Sequence, residues 1–237
     1  MKKARCVFRA ATLGLAALVC LSVLSACEPK VYNDGTYRAV SAADDLGYAT
    51  AEVSVLKDKI VSVTLAEFDG YGVEKTQDSY AHPPAKEAGA EMAERFAGSE
   101  DANVDVYAGA TKSSRKYKQA VSFALEKAKM TSTVMSTYFD GTFQGSSGQT
   151  EDGYQMAWVT IEDDKITSVI LNQVTPEGQF RDWLTYPNTT VLEAKDAMEK
   201  AFVEKGDPVV DVFAGATKSS TGWIEAVNDA LTKAKVR

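Results

Sequence analysis

Hydrophobic and polar residues alternate along two stretches of the chain, on either side of a short polar turn. In the first stretch the hydrophobic positions are Ala51, Val53 and Val55, then Val61, Val63 and Leu65. In the second they are Ala157, Val159 and Ile161, then Val169 and Leu171. The turns between them are Lys57-Asp58-Lys59 and Asp163-Asp164. Alternation with a period of two around a polar turn is typical of a β-hairpin, so the pattern predicts one hairpin in each half of the chain.

Each predicted hairpin is followed by two stretches in which hydrophobic residues recur every three or four positions, as they do on one face of a helix. In the earlier stretches these residues are Ala85, Ala88, Met92 and Phe96, and Val191, Ala194, Met198 and Phe202. In the later ones they are Tyr117, Ala120, Val121, Ala124, Leu125 and Ala128, and Trp223, Ala226, Val227, Ala230 and Leu231. Gly206 is placed to end a helix. The serines placed to cap the later helices are Ser113 or Ser114, and Ser219 or Ser220. Strands followed by helices predict an α+β fold.

The two halves of the chain are copies of one another at a constant spacing of 106 residues. From 34 to 129 no gap is needed, and 38 of these 96 positions are identical to their counterparts. A period this long exceeds that of solenoid repeats, roughly 20–50 residues, so each copy is predicted to fold around its own core. We expect tandem domains at 34–130 and 140–237, joined by a short polar linker at 131–139 that keeps them close together.

The copies agree best over ten residues, 105–114 and 211–220, which differ only where Phe213 replaces Tyr107. The glycine in this segment allows a strained turn or the close approach of a ligand. A helix that starts directly afterwards presents free N–H groups and a positive dipole end, which favour an anion. The segment therefore predicts a phosphate site beside a threonine hydroxyl, with a lysine nearby. Its residues are Gly109, Ala110, Thr111, Lys112 and Ser113, and Gly215, Ala216, Thr217, Lys218 and Ser219.

This segment resembles the attachment motif of FMN-binding domains, whose pattern is roughly D-x-x-[S/T]-G-A-T-x-[S/T]; Ala108 and Ala214 stand where the family often has a hydroxyl residue. The resemblance covers both copies and includes the opening D-G-T-[Y/F]. Such domains occur in the Rnf complex and in the sodium-translocating NADH:quinone oxidoreductase. They occur in duplicate in flavin-carrying lipoproteins of Gram-positive extracellular electron transfer. The resemblance implies two tandem copies of a small antiparallel sheet with helices, and FMN that a flavin transferase moves from FAD onto Thr111 and Thr217 as a phosphoester.

The residues also indicate that the threonines are acceptors and not catalysts, because threonine is a poor nucleophile and no His or Cys is expected nearby to activate it. The only histidine, His82, is in the first copy alone. Asp105 and Asp211 would repel a phosphate, so we expect them to engage the transferase or its magnesium ion; the alternative is a solvated loop aspartate. The candidates to stack on the flavin ring, or else to pack in the core, are Tyr80, Tyr186, Tyr107 and Phe213. The loops at 68–72 and 174–178 have diverged, and we expect them to give the two flavins different surroundings and potentials.

The N-terminus has the layout of a bacterial lipoprotein signal. Basic residues precede an apolar run from Ala10 to about Leu24, and the run ends in Leu24-Ser25-Ala26-Cys27, which resembles a lipobox. We expect a signal peptide at 1–26, a lipid on Cys27 and a tether at 27–33; the alternatives are an uncleaved anchor or an ordinary signal peptide. Cys6 and Cys20 would leave with the signal. Removal of four of the 26 basic residues would leave 22 against 33 acidic ones, a net charge of −11.

Composition argues against several functions. The acidic balance disfavours nucleic acid as a partner, because phosphate backbones are bound by clustered lysine and arginine. One His and three Cys leave almost no ligands for zinc, haem or iron–sulfur clusters. The G-x-x-x-x-G-K-[ST] loop is absent from the sequence, which argues against a nucleotide triphosphatase. No acid, base or substrate constellation is repeated, so we expect an electron carrier and not a substrate-specific enzyme.

The lipobox and the family resemblance together imply a lipid-anchored, extracytoplasmic flavoprotein with two covalent FMN groups. It would relay electrons from a membrane donor to a soluble acceptor, a metal ion or a neighbouring reductase. Two alternatives remain open. One is a lipoprotein that binds FMN or another phosphate compound without a covalent bond, and the other is a structural or pheromone-precursor lipoprotein.

Overall fold

The computed structural model describes residues 29–76, 78 and 82–237. The predicted signal peptide, Cys27 and Tyr80 lie outside these residues. Within the described part of the chain, no helix is both long enough and apolar enough to cross a membrane.

Each copy consists of a three-stranded antiparallel sheet followed by two helices. The elements of the first copy are β1 (Gly35–Val40), β2 (Tyr48–Leu56), β3 (Lys59–Phe68), α1 (Pro83–Phe96) and α2 (Thr111–Ala128). Those of the second are β4 (Gly141–Ser146), β5 (Tyr154–Glu162), β6 (Lys165–Val174), α3 (Thr189–Lys205) and α4 (Thr217–Ala234). The strand orders are β1-β2-β3 and β4-β5-β6, so the first strand of each predicted hairpin is central. This architecture confirms an α+β fold of two tandem copies.

The hairpins form where the alternation predicts them, and the backbone of each turn has positive φ angles. Lys57 and Asp58 have φ angles of 52° and 61°, and the equivalent pair at 163–164 has 50° and 61°. Two successive positive φ angles suit a two-residue hairpin turn, because the twist of the turn then matches the twist of the strands. The Asp58 carboxylate also accepts the backbone N–H groups of Val31 and Tyr32 at 3.0 and 2.7 Å. These bonds tie the start of the described chain to the hairpin turn.

The prediction that Val61 shares a buried face is wrong. Val61 is 51% exposed because the strand register shifts beside it. Val55 pairs with Ile60 and Ser54 pairs with Ser62, which leaves Val61 as the extra residue of a β-bulge. Ile60, which is 1% exposed, takes the buried place. A bulge sets two residues against one on the partner strand, and simple alternation does not reveal it.

The edge strands β1 and β4 complete the sheets, although the hydrophobic pattern does not predict them. β1 pairs with β2 over six residues but buries only Ala39, so its sequence carries no clear alternation. The central strands and the helices carry the hydrophobic pattern because each of them buries a whole face.

Each copy encloses its own core between the sheet and the two helices that cover one of its faces. Met92 and Phe96 are fully buried in the first core, and Phe202 and Trp223 in the second, as the helical periodicity predicts. Burial of one such side chain stabilises the fold by roughly 1.5–3 kcal/mol. α3 ends at Gly206, whose φ of 63° is left-handed, as predicted.

The two copies contact each other through the loop that follows β3. The Gln144 side chain of β4 donates to the Gly70 carbonyl at 3.1 Å, and the Tyr154 hydroxyl donates to the Tyr71 carbonyl at 2.8 Å. The rings of Tyr71 and Phe180 stack with centroids 4.4 Å apart. These contacts explain why this loop differs from its counterpart in the second copy, which follows β6.

Candidate functional site

Each repeated ten-residue segment forms a tight turn that leads directly into a helix. In the first copy, the Ala110 N–H donates to the Tyr107 carbonyl at 3.1 Å, and Gly109, the third residue of the turn, has φ of 84°. The second copy has the same bond at 3.0 Å and a φ of 83° at Gly215. Glycine is favoured at such a position because other residues rarely adopt a positive φ. A Cβ on Gly109 would also lie 3.1 Å from Pro84, so the turn leaves little room for a larger residue.

Helices α2 and α4 begin at Thr111 and Thr217, so the prediction that a serine caps them is wrong. The residue before each helix is an alanine, and the serines lie inside the first turn. The hydroxyl of Ser114 accepts the Tyr107 N–H at 3.0 Å, and the second copy repeats this bond at 3.1 Å. A serine oxygen is a good acceptor for an unpaired N–H. Here it fastens the turn to the helix and leaves the helix start open.

The first N–H groups of these helices therefore have no side-chain cap from the residue before them. Ser114 is the first residue of α2 whose N–H meets a helix carbonyl, that of Ala110 at 2.9 Å. The N–H groups of 111–113 and 217–219 have no acceptor within the helix and lie at the positive end of its dipole. Thr111 and Thr217 are both exposed at this end. The geometry thus places a free hydroxyl beside an anion-binding helix start.

The motif lysines lie on the surface next to acidic residues of the loop before the central strand. The Lys112 ammonium is 3.5 Å from Asp45, and the Lys218 ammonium is 3.4 Å from Asp152. Exposed pairs of this kind contribute about 0–1 kcal/mol, so they hold the lysines weakly. Asp105 is also exposed, as is Asp211 in the second copy.

A cavity of about 810 Å³ lies in the second copy beside the start of α4. Its walls are the loop between β4 and β5 with the start of β5, the end of β6, the segment before α3, and the N-terminal turns of α3 and α4. The wall residues that the sequence predicts are Tyr186, Gly215, Ala216, Thr217, Lys218 and Ser219. Those that it does not predict include Gln155, Gln173, Arg181, Asn188 and Gly222. The structure therefore brings the predicted residues of this copy to one cavity, with the exceptions of Asp211 and Phe213, which are not part of the wall.

The three aromatic candidates in the described residues all pack against a core, and one of them, Tyr186, also lines the cavity. Tyr186 lines the cavity, and the Arg181 guanidinium lies 4.8 Å from its ring centre. Tyr107 and Phe213 pack against the two cores, so for these two the alternative of core packing holds. The Tyr107 hydroxyl donates to Glu87 at 2.5 Å, and this bond raises the pKa of the phenol.

A model of the FMN-binding domain family matches the chain twice, over residues 47–126 and 155–232. The chain belongs to the FMN-binding domain family. The two matches confirm the duplication, and each includes one of the ten-residue segments. A crystal structure of a protein from Clostridium perfringens is 26% identical over 41% of this chain and 88% of that chain, with a TM-score of 0.37. A search of curated proteins gave no significant match.

The second FMN-binding domain offers a space that fits the cofactor. Its cavity of about 810 Å³ falls within the roughly 300–1,000 Å³ that is usual for pockets of small molecules and cofactors. The Gln155 side-chain oxygen is buried there without a hydrogen-bond partner among the described residues. An orphaned acceptor of this kind suits a ligand that donates a hydrogen bond. The helix start at Thr217 forms the part of the wall that suits the phosphate.

The diverged loops at 68–72 and 174–178 do not line the cavity of the second domain. The loop at 174–178 is not part of the cavity wall, and the loop at 68–72 contacts the second FMN-binding domain instead. The prediction that these loops give the two flavins different surroundings stays a prediction. The loop of the first copy lies at the interface between the two domains.

Proposed function

We propose that this FMN-binding protein is an extracytoplasmic, lipid-anchored electron carrier with one FMN esterified to Thr111 and one to Thr217. It relays electrons from a membrane donor to a soluble acceptor, a metal ion or a neighbouring reductase. FMN, when bound, supplies redox chemistry by one or two electrons, and the protein holds and tunes the ring. The observation that carries the proposal is an exposed threonine hydroxyl at the uncapped start of a helix, present with the same geometry in both copies.

The backbone N–H groups of 111–113 and 217–219 would hold the two phosphates. Lys112 and Lys218 are close enough in sequence to offset the remaining negative charge. In the second domain, Tyr186 would contact the ring and Gln155 would accept a hydrogen bond from it. Cys27 would carry the lipid that keeps the protein at the membrane.

Attachment would be a phosphoryl transfer in which the chain is only the acceptor. A bond forms between the threonine oxygen and the FMN phosphorus of FAD, the bond from that phosphorus to AMP breaks, and AMP leaves with the electron pair. The hydroxyl proton passes to a base of the transferase. Asp105 and Asp211 are exposed six residues before each threonine, where a transferase or its magnesium ion could reach them.

The intact mass of the chain, produced together with a flavin transferase, tests this proposal. We expect two additions of FMN less water, one lost in Thr111→Ala and the other in Thr217→Ala. Thr189→Ala is the matched control, because Thr189 is also an exposed first residue of a helix, α3. The control should keep both additions. An unmodified chain, or additions that survive replacement of both threonines, would overturn covalent attachment.

Non-covalent binding is the second candidate, and the cavity of the second domain with its orphaned acceptor favours it. Denaturing and washing the flavin-loaded protein distinguishes covalent from non-covalent binding, because an esterified flavin stays with the chain. The relay itself is tested in cells. If reduction of a ferric chelate at the cell surface persists in a strain with both threonines replaced by alanine, the relay is wrong. Cys27→Ala should release the protein from the membrane fraction if Cys27 carries the anchor.

A further inference from the structure

Lys116 of α2 is a buried lysine that the phosphate site does not use. Its side chain is 6% exposed, and its ammonium lies 2.9 Å from Glu67, 3.3 Å from Asp44 and 3.3 Å from the Gly47 carbonyl. Lys75 adds a second ammonium 3.1 Å from Glu67. Burial raises the pKa of Glu67, but the two ammonium groups outweigh it and bring the pKa below its ordinary value. Lys116 and Glu67 therefore form a charged pair inside the first domain.

The second domain has a cavity at the place where the first has this pair. Shifted by 106 positions, Lys116 becomes Gly222 and Glu67 becomes Gln173, and both of these line the cavity. The counterparts of Asp44 and Gly47, at 150 and 153, line it as well. Every group that the Lys116 ammonium touches thus has its equivalent in the cavity wall. The lysine side chain of the first domain thus lies among residues equivalent to those that line the cavity of the second.

A compensating exchange accompanies this difference. Position 49 is alanine in the first domain, and its counterpart is Gln155 in the second. A Cβ on Gly222 would lie 2.4 Å from the Gln155 Cγ, so the larger glutamine requires the glycine. Gln155 is 9% exposed, lines the cavity and keeps an unpartnered side-chain oxygen. The second domain has therefore lost a buried cation and gained space together with a neutral polar group.

We propose that the two domains hold their flavins differently: the second receives the isoalloxazine ring in its open-sided cavity, and Lys116 with Glu67 keeps the ring of the first domain outside. The residues at 49, 67 and 116, and their counterparts at 155, 173 and 222, determine which arrangement forms. This inference rests on the proposed function, because it requires FMN at both threonines. It assigns the difference between the two flavins to these pocket residues and not to the diverged loops.

Iodide quenching of flavin fluorescence tests the inference on chains that carry one flavin each. Thr217→Ala leaves only the flavin of the first domain, and Thr111→Ala leaves only that of the second. Ligand pockets bury roughly 70–90% of a ligand's surface, so we expect a quenching constant about threefold lower or more for the second flavin. Equal constants for the two flavins would overturn the inference.

Exchange of the three pocket residues between the domains should exchange the quenching constants of the two flavins. In the chain that carries only the second flavin, Gln155→Ala, Gln173→Glu and Gly222→Lys together should raise its constant toward that of the first. In the chain that carries only the first flavin, Ala49→Gln, Glu67→Gln and Lys116→Gly together should lower it. Both partners of the buried pair are changed at once, because removal of one alone leaves an uncompensated charge.

Lys118→Gly is the matched control, since it makes the same change in α2 but at a partly exposed position. It should leave the quenching constant unchanged. If the exchanged chains fail to fold, as judged by circular dichroism, the comparison of the two single-flavin chains still decides the matter. Intact mass separates the two levels of failure. Absent FMN contradicts the proposed function, whereas two attached flavins with equal quenching contradict only the difference between the domains.

Discussion

Replacement of Glu126 by glutamine should weaken the fold of the first domain and do so in a pH-dependent way. Glu126 lies near the end of α2 and is 5% exposed. Its carboxylate accepts the N–H groups of Thr133 and Val134 at 2.6 and 3.0 Å and the Ser132 hydroxyl at 2.7 Å. The Lys129 ammonium lies 2.7 Å away. One buried carboxylate therefore fixes the start of the linker to the second domain.

The size of the effect follows from the pKa of this carboxyl. Burial raises the pKa of Glu126, but the Lys129 ammonium and the hydrogen bonds from 132–134 outweigh it and bring the pKa down from 4.5 to about 2. A shift of that size corresponds to about 3 kcal/mol of stabilisation by the charged form. Because the folded pKa lies below the unfolded one, this contribution is complete above about pH 4.5. It is lost as the pH falls toward about 2.

Urea unfolding of residues 29–237 at several pH values measures this contribution. Far-UV circular dichroism follows both domains, whereas tryptophan fluorescence follows the second alone, since all three tryptophans lie there. We expect Glu126→Gln to cost about 3 kcal/mol at pH 7 and progressively less below pH 4.5. Glu204→Gln, at an exposed position of α3, is the control and should cost less than about 0.5 kcal/mol. A cost that is the same at pH 3 as at pH 7 would refute the reasoning.

Three further changes have expected outcomes. Gly145→Ala should destabilise the second domain by about 1–3 kcal/mol, because its Cβ would lie 2.0 Å from a backbone oxygen of α4; Gly148→Ala, with open space around it, is the control in thermal unfolding. Gly215→Ala should strain a turn whose φ is 83° by about 1–2 kcal/mol, and intact mass should show less FMN on that domain only. Lys233→Met removes an ammonium that donates to the Gln144 backbone carbonyl of β4 at 2.9 Å and to the Tyr48 hydroxyl of the first domain at 3.2 Å. It should separate the unfolding of the two domains into distinct transitions in calorimetry, whereas Lys127→Met at the equivalent position should not.

The hairpins and helices could be predicted because each buries one face, and burial at a regular period is visible in the sequence. The bulge at Val61 and the edge strand β1 could not, because a bulge breaks the period and β1 buries only Ala39. The helix starts were predicted too late, since serine is a common cap and here serves the preceding turn instead. The threonines and the glycines of the motif could be found because they are neighbours in the chain.

The cavity could not be predicted, because its walls come from distant segments that only the fold brings together. A signal for it was nevertheless present at the 106-residue spacing. Glu67 and Lys116 are both charged, and both of their counterparts are neutral. A paired loss of opposite charges at two distant positions suggests that the two residues are in contact.

The duplication separates attachment from the surroundings of the flavin. Nine of ten motif residues are the same in both domains, and the turn, the helix start and the exposed threonine have the same geometry. The region behind the motif differs between the domains. The first domain has the charged pair Lys116 and Glu67 there, whereas the second has the neutral residues Gly222 and Gln173 and an open cavity. A transferase that reads the motif would therefore treat the two domains alike, whereas the environments in which the rings work would differ. Two flavins of different exposure on one chain would suit different partners, one that reaches a ring within a cavity and one that reaches a ring at the surface.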